Sequence, residues 1–212
     1  YGHKIHFWDL RARKNIQTID LGENYQMALE IRPAHDPSKS YGFCGVVADN
    51  TNLQGAVFTW WRDDDGKWQA KKTITIDPRP EDPEDLPELI KGFGAVPVLV
   101  TDIDLSLDDK YLYVACWGIG EMHQYDVSDP FNPVLSGKVD LGGIAKETKH
   151  PNGKDFAYGP QMVEVSRDGK RVYWTNSLYS TWDDQFYPDH EGGQMVMANV
   201  GENGGLTLDP NF

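Results

Sequence analysis

Residues 159–189 read GPQMVEVSRDGKRVYWTNSLYSTWDDQFYPD, and the first half of this stretch decides the fold. Residues 162–165 (MVEV) alternate apolar and polar side chains with the period of two that is typical of a half-buried strand. Asp168-Gly169 lies inside SRDGK and supplies the positive φ angle that a tight hairpin needs. The alternation resumes over residues 171–175 (RVYWT). The stretch therefore predicts a β-hairpin, followed by an aromatic run that we interpret as a loop.

A closely similar hairpin precedes this one in the chain. SLDDKYLYV (106–114) aligns with SRDGKRVYW (166–174), and each segment follows an alternating apolar strand. Comparable strand patterns cover most of the remaining chain, in groups of four short strands. Self-similarity of this kind is typical of a β-propeller. The sequence therefore predicts an all-β fold of the WD40-like propeller type.

The repeat divides the chain into predicted blades and loop excursions. We expect a half blade over 1–22 and four-stranded blades over 25–77, 97–141 and 159–212. The excursions cover 78–96 and 142–158, and the first is rich in proline, which removes ladder donors and blocks sheet pairing. One short helical turn is predicted over 87–91. Because a propeller closes with roughly four to eight blades, we expect this chain to be a piece of a longer protein.

The composition favours a folded β protein and argues against two classes of partner. The chain has 212 residues, of which 39% are apolar and 12% aromatic, enough for a packed core. A formal net charge of −13 repels nucleic-acid phosphates and anionic lipid surfaces, so we expect neither partner. We interpret the acidity as a source of solubility, with local carboxylate clusters that bind cations as the alternative. No apolar run reaches the roughly 18 residues of a membrane span.

The two cysteines, Cys44 and Cys116, both lie in apolar strand patterns. No C-x-x-C spacing or neighbouring pair of histidines accompanies them, so the sequence indicates neither a zinc site nor a redox motif. We expect two buried free thiols. This cysteine usage is compatible with a cytoplasmic or a periplasmic location.

Several motifs together resemble the selenium-binding protein family, whose members include methanethiol oxidases. The stretch quoted above is one of them, and its SLYSTWDDQFYPD run is long and unusual. The others are KIHFWDL (4–10), LEIRPAHDP (29–37), TDIDLSLDDKYLYV (101–114), HQYDVSDPFNPVLSGKVDLGG (123–143) and GGLTLDPNF (204–212). The resemblance covers nearly the whole chain and places it in the C-terminal half of such a protein.

The resemblance implies a seven-bladed propeller that oxidises methanethiol with O₂ and water, with copper as cofactor. The implied products are formaldehyde, hydrogen sulfide and hydrogen peroxide, and family members are also linked to selenium through cysteine. The adjacent-His and Cys-x-x-Cys segments toward the family's N-terminus have no counterpart here, nor does a His-bearing motif near its C-terminus. We therefore expect the main metal ligands outside this chain, and no activity from this chain alone. The alternatives are a non-catalytic scaffold that binds selenium or protein partners, and a propeller hydrolase with a Ca²⁺-binding carboxylate cluster.

Candidate site residues follow from the first strand of each blade, which lines the channel of a propeller. The repeat places Glu30, Asp102 and Gln161 there. They either form a polar shell that supports a metal or guides substrate, or they satisfy the backbone and channel water. His35 lies near one channel mouth and is the candidate copper ligand within this chain, since imidazole suits copper. The alternative is a loop histidine hydrogen-bonded to its own turn.

Three further histidines and four tryptophans are also candidate site residues. His123, His150 and His190 are predicted at the surface. Four tryptophans form either a binding wall or packing between sheets: Trp60, Trp61, Trp174 and Trp182. Nucleophilic catalysis has no support, because neither a G-x-S-x-G motif nor a cysteine close to a histidine in sequence is present.

Overall fold

A computed structural model of the protein describes residues 2–146, 148–157, 159–178, 180–188 and 192–212. The chain opens with a hairpin of β1 (Lys4–Asp9) and β2 (Lys14–Asp20). Three four-stranded antiparallel sheets follow, each with its strands paired in chain order. The predicted all-β fold of four-stranded blades is therefore confirmed.

The strands of the first four-stranded sheet are β3 (Tyr25–Pro33), β4 (Tyr41–Asp49), β5 (Gly55–Arg62) and β6 (Trp68–Ile76). An excursion with β7 (Arg79–Pro80) and β8 (Ala95–Val96) leads to the second sheet. That sheet contains β9 (Val100–Leu105), β10 (Tyr111–Cys116), β11 (Glu121–Asp126) and β12 (Val134–Asp140). A second excursion contains β13 (Thr148–Lys149) and β14 (Asp155–Phe156). The third sheet contains β15 (Val163–Val165), β16 (Arg171–Thr175), β17 (Met195–Val200) and β18 (Leu206–Leu208).

The excursions are more regular than the sequence predicted. Both contain a short antiparallel ladder, and one of these ladders includes Pro80. The two 3-10 turns lie at Pro83–Asp85 and Lys91–Phe93, on either side of the helical turn predicted over 87–91. The predicted stretch contains a single hydrogen-bonded turn, in which the Ile90 N–H donates to the Pro87 carbonyl at 2.9 Å. The first 3-10 turn begins where Asp82 accepts a hydrogen bond from the Glu84 N–H at 3.0 Å and a proline follows. An aspartate cap followed by proline is a strong start signal for a helical turn.

The aromatic run interpreted as a loop contains a helix, α1 (Ser180–Phe186). Asp183 is 2% exposed, and its carboxylate accepts hydrogen bonds from the Ser177 hydroxyl at 2.6 Å and from the Leu178 N–H at 3.0 Å. Trp182 and Phe186 are spaced i, i+4, and their ring centroids lie 6.0 Å apart. This apolar pair and the buried carboxylate stabilise a short helix that propensity alone does not indicate.

The first strands of the three sheets lie side by side, with β9 in contact with both β3 and β15. Two carboxylates of β9 bind the facing backbone of β15. Asp102 accepts from the Val163 N–H at 2.7 Å, and Asp104 accepts from the Val165 N–H at 3.0 Å. Apolar clusters fill the spaces between successive sheets. The inner strands are thus fixed relative to one another by ordinary core packing and by these two acceptors.

Both cysteines are buried free thiols, as predicted. Burial raises the pKa of the Cys44 thiol to about 12 and that of Cys116 well above its usual range. Among the residues that the structure describes, no helix is long and apolar enough to span a membrane.

Candidate functional site

A cavity of about 280 Å³ lies where the inner strands of the three sheets meet α1. Its wall is mainly aliphatic and aromatic, with three polar side chains. The lining residues are Met27, Leu29, Glu30, Val47, Leu99, Thr101, Trp117, Gln161, Met162, Leu178 and Trp182. Concave, mostly apolar sites with a few polar groups are the usual form of a small-molecule site.

Two residues of the wall have unusual backbone conformations. Met27 in β3 and Leu99 just before β9 have φ angles of 61° and 52°, a region that residues with a bulky side chain rarely adopt. Such strain concentrates at functional sites, where the surrounding structure enforces it. In the third repeat the position aligned with Leu99 is Gly159, where a Cβ atom would lie 2.1 Å from the Trp117 carbonyl oxygen. The inner wall is therefore fixed by strained or close-packed backbone in all three repeats.

Trp117 lies on the wall of the cavity and is fully buried. Its indole N–H donates to the Asn176 carbonyl at 3.0 Å. The Tyr187 hydroxyl donates to the Trp117 carbonyl at 3.0 Å and accepts from the Gly159 N–H at 3.1 Å. The two aromatic rings meet edge to face, with centroids 5.1 Å apart. These contacts hold Trp117 in one orientation, so this wall is rigid.

The three polar side chains of the cavity differ in their hydrogen bonding. Glu30 accepts a hydrogen bond from Arg32 at 2.8 Å, and the Thr101 hydroxyl donates to the Gln161 carbonyl at 3.1 Å. Gln161 is only 8% exposed, yet its carboxamide makes no hydrogen bond to any side chain or backbone group among the described residues. Among the described lining residues, Gln161 thus offers a carboxamide that is open to a ligand.

Of the predicted channel residues, Glu30 and Gln161 share this cavity and Asp102 does not. Asp102 is fully buried, and besides the Val163 N–H it accepts from the Ile103 N–H at 2.9 Å and from Arg32 at 3.2 Å. Burial raises its pKa to about 6, although these hydrogen bonds and the Arg32 charge oppose the rise. Successive side chains of a strand point to opposite faces, so its neighbour Thr101 lines the cavity instead. Asp102 joins neighbouring sheets.

His35 is bound to Asp109 and does not belong to a group of metal ligands. Its Nδ1 lies 3.0 Å from Asp109 Oδ1, and its backbone N–H donates to the same oxygen at 2.8 Å. The contact therefore reaches a turn of the next sheet and not His35's own turn. Lys39 also donates to Asp109, at 3.3 Å. Within the described ranges, no group of three or more His, Cys, Asp or Glu side chains could hold a metal ion.

The surface prediction is wrong for His123 and His150, which are each 5% exposed. His123 Nε2 lies 2.5 Å from Glu121 Oε2, and Lys138 and Arg79 donate to the other oxygen of Glu121 at 3.0 and 3.1 Å. Burial raises the pKa of Glu121, but its hydrogen bonds with His123 and Lys138 outweigh burial and lower it to about 2. The E-x-H spacing puts both side chains on one face of β11 and could have indicated this pair.

The remaining predictions for tryptophan and histidine residues differ in how well they agree with the structure. Trp60 and Trp174 are buried between sheets, whereas Trp182 lies on the cavity wall. Trp61 meets Phe131 edge to face at 5.0 Å. His150 is placed by a hydrogen bond of 2.9 Å to the Met195 carbonyl. The prediction for His190 lies outside the described residues.

Both the sequence and the fold of this chain are similar to those of known proteins. The model of the 56 kDa selenium binding protein (SBP56) family matches residues 1–212. A methanethiol oxidase of Xenopus tropicalis is 43% identical over 232 residues, which cover 100% of this chain and 47% of the relative. The chain therefore spans about half the length of this relative.

Solved structures agree with the family match. A hypothetical selenium-binding protein from Sulfolobus tokodaii is 55% identical and superposes with a TM-score of 0.96 over 100% of this chain and 46% of the other. The β-propeller domain of Cps50 from Myceliophteria thermophila, at 10% identity and a TM-score of 0.50 over 98% of this chain and 51% of the other, shares the fold alone. The family match extends over the whole chain and agrees with the observed sheets. The chain belongs to the 56 kDa selenium-binding protein family.

Proposed function

We propose that this chain is part of a copper-dependent methanethiol oxidase. The observation that supports this best is the family match over residues 1–212, together with the methanethiol oxidase that is 43% identical over the whole of this chain. In the proposed reaction, methanethiol, O₂ and water give formaldehyde, hydrogen sulfide and hydrogen peroxide in equal amounts. The carbon–sulfur bond breaks, the carbon is oxidised and O₂ accepts two electrons.

The described residues do not by themselves fit a copper centre. They contain no group of three or more candidate ligands. His35 is held by Asp109, and burial keeps both thiols protonated because it raises their pKa values. Copper in proteins is bound by imidazole, thiolate and thioether groups, with imidazole or thiolate as the main ligands. The proposal therefore puts the copper ligands outside this chain and routes no step through its residues.

The cavity supports a role for this chain in receiving the thiol. Its wall combines two methionines, Met27 and Met162, with the indoles of Trp117 and Trp182. An apolar, polarisable wall suits a small uncharged sulfur compound, since sulfur and aromatic groups make favourable contacts. The wall also limits the water that reaches a bound molecule.

The test uses the intact protein with its copper content measured. Methanethiol is supplied in air, and sulfide, peroxide and formaldehyde are quantified. We expect all three products in a 1:1:1 ratio from the copper-loaded protein, and no turnover after chelation. Residues 1–212 alone are expected to be inactive. A copper-loaded intact protein that leaves methanethiol unchanged would refute the proposal.

The second candidate is a non-catalytic scaffold that binds selenium, which the description of the family model favours. The same preparation separates the two. Selenium retained after gel filtration, without any sulfide from methanethiol, would support the scaffold over the oxidase.

A further inference from the structure

We infer that the cavity between the inner strands and α1 is a binding site for an uncharged molecule with an apolar body of aromatic-ring size and one hydrogen-bonding group. Gln161 is the group that binds the polar end. This inference concerns binding only and goes beyond the proposed oxidation, because a protein without oxidase activity would still show it.

The size of the cavity sets the size of the ligand. An apolar cavity of roughly 150 Å³ stays dry and binds benzene in another protein. The cavity here measures about 280 Å³, which leaves room for a substituted ring. Because eight of its eleven lining side chains are aliphatic, aromatic or thioether groups, the body of the ligand is expected to be apolar.

The requirement for one hydrogen-bonding group follows from Gln161. Its backbone is fixed at both ends: its N–H donates to the Thr175 carbonyl at 2.7 Å, and its carbonyl accepts from Thr101. Its carboxamide, in contrast, has no partner among the described groups, although the residue is more than nine-tenths buried. The polar atoms of this carboxamide keep access to the cavity, since Trp174 Nε1 is the one fully buried side-chain N or O atom without a partner among the described residues. A ligand hydroxyl, thiol or carbonyl could therefore form a hydrogen bond with it.

The charge of the ligand follows from the other polar groups. Of the lining residues that the structure describes, Glu30 is the charged one, and Arg32 pairs with it at 2.8 Å. The Glu30 carboxylate would repel an anion. A charged ligand of either sign would also lose its hydration against the apolar wall. A neutral ligand avoids both costs.

The test measures the binding of three probes of similar shape to the intact protein: benzyl alcohol, toluene and benzoate. Calorimetry and tryptophan fluorescence report binding, since Trp117 and Trp182 line the cavity. We expect benzyl alcohol to bind about tenfold more tightly than toluene, the size of one buried hydrogen bond. Benzoate is expected not to bind. Absence of benzyl alcohol binding, or equal binding of benzoate, would overturn the inference.

Two variants and a matched control locate the site. Gln161→Leu is expected to weaken benzyl alcohol binding about tenfold and to leave toluene binding within about twofold. Gln185→Leu removes an exposed carboxamide from α1 and should change neither affinity. Leu178→Trp fills the cavity and is expected to abolish binding of both probes, with the unfolding midpoint as the check on folding. Benzyl alcohol binding that survives Gln161→Leu or Leu178→Trp unchanged would overturn the inference.

Discussion

The turns 106–111 and 166–171 have nearly the same local structure, but they differ in their contacts with a neighbouring sheet. In each, a serine hydroxyl donates to an aspartate two residues later at 2.6 Å: Ser106 to Asp108, and Ser166 to Asp168. In each, the same aspartate accepts from the backbone N–H two residues further on, at 3.1 Å. The local hydrogen bonds thus follow from the shared S-x-D-x-K pattern.

The turns differ in sequence at three positions, one of which is Asp109 in the first and Gly169 in the second. Asp109 and Gly169 both have positive φ angles, 60° and 69°. Asp109 is 4% exposed, and its carboxylate accepts from the His35 N–H, the His35 ring and Lys39 of the preceding sheet. A Cβ atom on Gly169 would meet nothing within 4 Å. Glycine adopts this conformation without strain, so an aspartate at the same place indicates a side chain that is needed for a contact between sheets.

The largest expected effect is that of Asp109→Ala. The variant keeps the left-handed backbone and removes the acceptor of hydrogen bonds from His35, Asp36 and Lys39. Because these three residues are exposed and water can replace part of the contact, we expect a loss of about 2 kcal/mol in the free energy of unfolding. Urea unfolding of the intact protein measures it. A loss below about 1 kcal/mol would show that the contact between the sheets adds little, and that the two turns are equivalent.

The contact of Asp109 with the preceding sheet is expected to depend on pH, with a smaller effect on stability. Burial tends to raise the pKa of Asp109, but the hydrogen bonds from His35, Asp36 and Lys39 outweigh it, and the pKa lies below its usual range. A lowered carboxyl pKa contributes stability that is complete above the unfolded value, about 3.9, and is lost as the pH falls through the folded value. We expect the stability difference between the wild type and Asp109→Asn to shrink below about pH 4. A difference that stays constant down to the acid transition would contradict this.

A smaller effect is expected from His35→Ala. The variant removes the ring contact of 3.0 Å to Asp109 and retains the backbone N–H, so we expect a loss of about 1 kcal/mol. A double-mutant cycle with Asp109→Ala measures the coupling between the two side chains. Strict additivity of the two losses would mean that the ring and the carboxylate do not interact.

The smallest effect is expected from Gly169→Asp, which gives the second turn the residue of the first. Aspartate tolerates the left-handed region and has open space here, so we expect a loss of at most about 1 kcal/mol. Thermal unfolding measures it, with Gly169→Val as a control that a β-branched side chain in this conformation costs more. A loss for Gly169→Asp as large as that for Asp109→Ala would remove the distinction between the turns.

The sequence predicted the strands well because each depends on local alternation and on turn residues. It also placed Glu30, Asp102 and Gln161 along the channel, which stays a prediction. The cavity is lined by Thr101 and not by its neighbour Asp102, since one residue of register moves a side chain to the opposite face. It missed α1, because the helix is also held by packing of Phe186 against Trp117, a residue far away in sequence. His123 was misplaced for the same reason.

The sequence by itself determined the repeat, the all-β sheets and the family, because turn chemistry and the period-two pattern are local properties of the chain. Only the tertiary structure decided which of two similar turns binds the neighbouring sheet, and which inner-strand side chains share a cavity. These depend on how adjacent sheets pack, and so on pairs of residues such as His35 and Asp109 or Thr101 and Gln161, which lie far apart in sequence. A local pattern contains no information about such partners, whereas packing and hydrogen-bond satisfaction in the folded protein fix them.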